Sequence, residues 1–340
     1  MQVLITGSAG FIGSYVVGEF LNAGWDVVGL DNFSKYGELR PAYEDHPRYR
    51  FVNGDAKDAG LIRELLTGCE HFIAGAAMIG GIAYFHRLAF DLLAENEKIT
   101  AAAFEAAVAA RRIGTLQKIT VLSSSMVYEN ASEFPTPEGA ERRSPPPSST
   151  YGFQKLATEY FAQGAFQQYE LPYTIVRPFN CVGIGERRAS ADEEVMSGDV
   201  RLALSHVVPD LVQKVLKGQD PLHILGDGAQ VRHYTYGGDL ARGIRTCVEH
   251  PDARNQDFNI STGVPTTVLE LATLIWMKIH GPDEPLRYVC DPAFEHDVAF
   301  RSPSTEKAKR LLGFEATTTL DSILDELIPW IRQQIELGTI

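Results

Sequence analysis

The sequence predicts an α/β fold built on a doubly wound parallel sheet, followed by a smaller C-terminal α/β region. Three observations carry this expectation. β-Branched apolar runs alternate with helical stretches through the first half of the chain, a glycine-rich turn joins the first run to the first helix, and beyond Gly183 the sequence becomes richer in loops. Crossovers long enough to hold a helix between successive runs imply parallel strands.

Taken in order, strands are expected at residues 3–5, 27–30, 50–52, 71–73 and 118–122. An alanine-rich stretch over 87–112 reads as one long helix, with apolar faces for a sheet or a partner subunit. A helix begins at Tyr151 and a short strand follows at 173–176. Further helices are expected at 207–217, 239–248, 268–280 and 322–334, with Gly and Pro between them. Residues 187–198, of mixed charge and few apolar side chains, read as a surface flap, and Pro145-Pro146-Pro147 as a stiff connector. Residues 1–180 are expected to form the first domain and 181–340 mainly the second region, with some segments returning to the first.

The chain has 340 residues, 44% hydrophobic and 22% charged, enough for a large core. No apolar run is long enough to cross a bilayer, and the opening residues already read as a core strand with no cleavable leader before them. A cytoplasmic protein is expected. Cys69, Cys181, Cys247 and Cys290 show no paired spacing, so reduced thiols and no metal are expected. A formal charge of -13 disfavours nucleic acid and anionic membrane as partners, because both require a basic face.

Gly7-Ser8-Ala9-Gly10-Phe11-Ile12-Gly13 follows the first strand and opens a helix. Such a turn lets backbone N–H groups approach a pyrophosphate, and the helix N-terminus adds partial positive charge. Asp31, at the end of the second strand, can accept hydrogen bonds from ribose hydroxyls and would repel an extra phosphate, which favours NAD over NADP. Asp55 has two readings, a contact to the adenine amino group or a helix cap. The fifth strand runs into Ser123-Ser124-Ser125-Met126, and Tyr151 and Lys155 lie four apart on one helical face. An ammonium near the phenol favours phenolate, making Tyr151 a candidate general base.

These stretches, GSAGFIGS, LDN, NGDAKD, SSSMVY, YGFQK, RPFNCVG and VRHYTYGGDLARGI, with the later echoes FNISTG and EKAKRLLGF, span nearly the whole chain. In them the chain resembles the extended short-chain dehydrogenases/reductases, particularly NAD-dependent nucleotide-sugar epimerases and dehydratases similar to UDP-galactose 4-epimerase. The resemblance implies a Rossmann-like sheet that binds NAD in residues 1–180 and a smaller substrate-binding region mainly in 181–340, and assigns Ser124, Tyr151 and Lys155 as the catalytic set. It further implies NAD contacts at Gly7, Gly10, Phe11, Ile12, Gly13, Asp31, Asn32, Asp55, Ala56, Gly75, Ala76, Ala77, Asn96, Tyr151, Lys155 and Pro178. A nucleoside-diphosphate sugar would meet Met78, Gly80, Gly81, Ser124, Ser125, Met126, Asn180, Val207, Arg232 and Arg301. By the same analogy the two long helices pair in a homodimer.

The implied chemistry begins with oxidation at a sugar hydroxyl, commonly O4, after which either epimerisation or dehydration can follow. Family dehydratases resemble Thr-Asp-Glu where this chain has Ser124-Ser125-Met126, so a 4-epimerase is expected, with a dehydratase or a dehydrogenase of a non-nucleotide substrate as alternatives. Two departures from the family pattern stand out. His233 replaces the usual Asp, and Ala293 and Phe294 stand where an Arg is common, which leaves the diphosphate to Arg301 or to Arg187 and Arg188.

Overall fold

The computed structural model describes residues 1–38, 41–79, 88–186, 195–198, 200–202, 206–292 and 298–340. Seven strands form the central sheet: β1 (Gln2–Thr6), β2 (Asp26–Asp31), β3 (Tyr49–Asn53), β4 (His71–Ala74), β5 (Lys118–Leu122), β6 (Tyr173–Pro178) and β7 (Gln256–Ile260). All pair in parallel, in the order β7-β6-β5-β4-β1-β2-β3. The order reverses direction between β1 and β4, so the crevice outside their carboxyl ends is where a parallel sheet of this kind receives a ligand.

Alternate residues of each strand feed opposite faces. Val3, Ile5, Val27 and Ile73 point into one core, with Val17 and Phe20 of α1 (Phe11–Asn22), Leu240 and Ile244 of α6 (Gly237–Glu249), and Leu312 of α8 (Glu306–Leu312). Leu4, Val28 and Phe72 point into the other. There they meet Ile62 of α2 (Ala59–Leu65), the alanines of α3 (Ala89–Arg112), and Ala162 and Ala165 of α4 (Thr150–Tyr169). Small side chains at Ala103, Ala106, Ala107 and Ala110 let α3 lie close against the sheet and α4. A third core joins α5 (Val207–Leu216), α7 (Val268–His280) and α9 (Leu320–Glu336) to a parallel strand pair, Leu222–Leu225 with Tyr288–Asp291.

The strand and helix positions expected from the sequence are present, with ends shifted by one or two residues. The seventh strand was not anticipated. In Gln256–Ile260 only Phe258 and Ile260 reach the core, while Asn259 faces a polar network, so the segment reads as too short and too polar until β6 supplies its partner. Of the expected 187–198 flap, Val195–Ser197 pairs antiparallel with Val200–Leu202, and residues 187–194 lie outside the described residues. Among the described residues no helix is long and apolar enough to cross a membrane and no His/Cys/Asp/Glu group could hold a metal.

Candidate active site

The glycine turn is shaped by contacts that leave no space for side chains. Gly7 has φ +75°, its N–H donates to Leu30 O at 2.8 Å, and a Cβ there would stand 3.0 Å from the Ala76 backbone. A Cβ on Gly13 would lie 1.9 Å from Gly7 O. The first turn of α1 therefore rests directly on the β1 loop, and only glycine permits that approach. No side chain caps this helix, so the amides of Phe11, Ile12 and Gly13 point from the positive end of the helix dipole into the crevice.

Asp31 is half-buried. Its Oδ2 accepts the Ala9 N–H at 3.0 Å and its Oδ1 the Phe33 N–H at 2.8 Å, tying the glycine turn to the end of β2. Each oxygen retains acceptor capacity for a ribose hydroxyl. Asn32 is exposed and accepts the Ser34 N–H at 3.0 Å. Asp55 does not cap α2: Asp58 does, accepting the Leu61 N–H at 2.9 Å, while Asp55 accepts the Lys57 N–H beside buried Ala56.

The loop after β4 is held by two side chains. Thr6 Oγ1 accepts the N–H groups of Gly75 and Ala76, at 3.2 and 3.3 Å. Asn96 of α3, fully buried, accepts the Met78 N–H at 2.6 Å and donates to Met78 O at 2.9 Å, so its side chain acts on the loop itself. Ala56, Ala76, Ala77, Asn96 and Lys155 line one small cavity of about 20 Å³, which brings candidate residues from four elements together. Thr6 was not anticipated, although a polar residue closing an otherwise apolar strand immediately before Gly7 was the available signal.

At the end of β5, Ser124 caps the 3-10 turn Ser125–Tyr128, its Oγ accepting the Met126 N–H at 3.2 Å and hydrogen-bonding to the Tyr151 phenol. Ser149 caps α4, placing Tyr151 in its first turn. The Tyr151 ring is buried against Leu92, Met126 and Ile79. Lys155 Nζ lies 5.9 Å from the centre of that ring and donates to Leu122 O at 2.9 Å. Burial lowers the Lys155 ammonium to about 8. The expected depression of the Tyr151 phenol by Lys155 is not the balance found: burial raises it, opposed by the hydrogen bond to Ser124 and the charge of Arg301.

The remaining candidates converge from the C-terminal half. Pro178 ends β6, half-buried. Asn180, at φ +35°, donates to His233 O at 3.5 Å, and Val207 opens α5. Val231 N donates to Ala299 O and Arg301 N to Val231 O, so residues 299–301 run beside the short strand Val231–Arg232. Both arginines act electrostatically on the buried Tyr234 hydroxyl. Arg232 is buried, with Nη1 donating to Val231 O at 2.9 Å. His233 is structural, bridging Thr262 O at 2.9 Å and Ser302 Oγ at 3.0 Å through its two ring nitrogens. Gly80, Gly81, Arg187, Arg188, Ala293 and Phe294 lie outside the described residues.

The residues present fit NAD: a turn closed to any Cβ, an uncapped helix end and a carboxylate at the tip of β2 are what a pyrophosphate and a ribose require. Comparison with known proteins agrees. A UDP-glucose 4-epimerase of Lacticaseibacillus casei is 28% identical over 346 residues, covering 97% of this chain and 96% of that protein. The structure of a UDP-glucose 4-epimerase from Thermotoga maritima, determined with UDP-glucose, has a TM-score of 0.81 at 28% identity and covers 98% of this chain and 100% of its own. A double mutant of a dTDP-glucose 4,6-dehydratase from Streptomyces venezuelae, determined with NAD, has a TM-score of 0.83 at 25% identity and covers 99% and 98%. The model of the NAD dependent epimerase/dehydratase family matches residues 3–261, from β1 through β7, and the chain belongs to that family.

Proposed function

We propose that the protein is an NAD-dependent epimerase of nucleoside-diphosphate sugars, inverting C4 through a transient 4-keto sugar. The observation that carries this reading is the Ser124–Tyr151 pair at the end of β5, followed by Ser125 and Met126. NAD, when bound, supplies a reversible acceptor for hydride from the sugar carbon. Tyr151 takes the proton of the sugar hydroxyl and Ser124 orients its oxygen. Lys155, anchored on Leu122 O, holds the ribose side of the cofactor and keeps positive charge behind the phenol. Elimination of a hydroxyl needs a carboxylic acid beside the sugar ring, and the two positions after Ser124 carry a serine and a thioether packed against Tyr151. That favours epimerisation over dehydration.

Arg232 and Arg301 meet the diphosphate, with Asn180 and Val207 beside it, while Met78, Ser125 and Met126 face the sugar. Residues 1–180 hold the cofactor and 181–340 mainly the sugar nucleotide, with α6, β7 and α8 returning to the sheet. The exposed aromatic rings on α4, Phe153, Tyr160 and Phe161, with Val108 of α3, form a homodimer face. Four free cysteines, two of them fully buried, suit a cytoplasmic enzyme.

Incubation with UDP-, GDP-, dTDP- and CDP-sugars, followed by proton NMR of the ring and absorbance at 340 nm, tests this reading. Interconversion of C4 epimers without lasting absorbance is expected. A 4-keto-6-deoxy sugar would make it a dehydratase, and no change in any sugar would overturn the substrate class.

A further inference from the structure

Beneath the Ser124 turn lies a buried ionic network whose role the catalytic set does not explain. Tyr151, Lys155 and Glu159 follow one another at four-residue spacing along one face of α4, and Glu159 is completely buried. Ser123 Oγ donates to Glu159 Oε1 at 2.5 Å. Arg177 of β6, 1% exposed, grips the same carboxylate through Nε at 2.8 Å and Nη2 at 2.7 Å. Its remaining nitrogen, Nη1, donates to the Tyr128 hydroxyl at 2.5 Å and to Asp257 Oδ2 at 2.7 Å. Tyr128 OH in turn donates to Asn259 Oδ1 at 3.0 Å.

Ser123 and Tyr128 are the two ends of the segment that carries Ser124. One guanidinium therefore reaches both, the first through Glu159 and the second directly. A fully desolvated ion pair adds little net stability compared with apolar packing, but its fork-to-fork geometry fixes orientation. Ser124 itself is held to its own turn by the Met126 N–H, so its distance from Tyr151 depends on where the two ends of that turn are anchored.

We propose that Glu159 and Arg177 are positioning residues that clamp both ends of the 123–128 segment, and so set the Ser124 hydroxyl against the Tyr151 phenol. This rests on the functional reading above. Removing Arg177 would leave the buried Glu159 carboxylate without a counter-charge, and removing Glu159 would take from the guanidinium its two-pronged partner, leaving Asp257; either change endangers the fold, so the test uses the gentler ends of the clamp. In the full-length protein with NAD and the sugar nucleotide that the wild type epimerises, Ser123→Ala and Tyr128→Phe are each expected to lower kcat by about ten- to a hundredfold, the range a misplacement of about 1 Å produces. KM should stay within twofold. Ser123→Thr, which keeps the hydroxyl, should restore kcat. The acid limb of kcat against pH should move upward in Ser123→Ala and stay in place in Ser123→Thr, because a weakened hydrogen bond from Ser124 disfavours the phenolate. The double variant should lose less than the product of the single losses, since both act on one turn.

If the wild type epimerises and both single variants keep kcat within twofold, the clamp is overturned while the functional reading stands. Should Ser123→Ala fail to fold, Tyr128→Phe at the opposite end decides by the same criterion. No epimerisation by the wild type overturns the reading and the clamp together.

Discussion

Tyr151 and Lys155 are both buried, and burial acts on them in opposite directions, raising the phenol and lowering the ammonium. With Lys155 near 8, kcat/KM is expected to fall as pH rises through about 8, where the ammonium behind the phenol is lost. In Lys155→Arg that alkaline limb should disappear from the profile, and a limb persisting at the same pH would assign it elsewhere. Tyr151→Phe should lower kcat by about 10²–10⁴-fold, the usual contribution of a positioned proton acceptor, with NAD binding measured by calorimetry left intact. Away from the site, His71 is held down to about 4 by burial and by the charge of Lys118. Its folded value lies below the ordinary 6.5, so the neutral ring is the form the fold prefers. That stability is fully present above about 6.5 and is lost as pH falls towards 4. Thermal midpoints across that window should decline, and His71→Gln should flatten the slope.

Among the elements, the loops at the carboxyl ends of β1 and β4 determine the cofactor crevice more than the strands do. Gly13→Ala drives a Cβ to 1.9 Å from Gly7 O, so the first turn of α1 must move. Overpacking of this kind costs about 1–3 kcal/mol, and the variant is expected to lose NAD affinity in calorimetry as well as several degrees of thermal midpoint. Thr6→Val, nearly isosteric, leaves the half-buried Gly75 and Ala76 N–H groups without their acceptor, and is expected to lower the thermal midpoint by the loss of two hydrogen bonds of about 0.5–1.5 kcal/mol each. Much of this architecture was legible from the sequence. β-Branched runs and the Gly7–Gly13 turn carry local signals strong enough to place β1 to β6 and α1. Helical spacing puts Tyr151 and Lys155 on one face, and the glycine turn and the serine strand before them make that pair a candidate site. What escaped depends on partners distant in sequence. β7 is a strand because β6 lies beside it, Thr6 matters because Gly75 comes within reach, and Asn96 serves Met78 across the loop. The balance at Tyr151 is hidden for the same reason: the sequence displays Lys155 four residues away, but neither the burial that raises the phenol nor the distant Arg301 that opposes it.

For the whole molecule, the reversal of strand order between β1 and β4 opens the crevice proposed for the cofactor, while α3 and α4 line an open groove on the outside, with Phe104, Val108, Phe153, Tyr160 and Phe161 along it. Tyr160 is 64% exposed and Phe153 49%, and with Phe161 they form a cluster of exposed aromatic rings of the kind that marks an interaction site. A dimer is therefore expected in sedimentation velocity, and Tyr160→Asp should shift it towards monomer, with the NAD site still formed. The seventh strand has a consequence for biogenesis. β6 leaves the ribosome about eighty residues before β7, an interval of roughly 4–16 s at ordinary elongation rates of about 5–20 residues per second. Throughout it the nascent sheet carries an open hydrogen-bonding edge along Thr174–Val176, β-branched and uncharged, with Arg177 at its end still lacking Asp257. Chains that stall in that interval are the ones most exposed to edge-to-edge association, and the ones for which a holding chaperone has the most to cover.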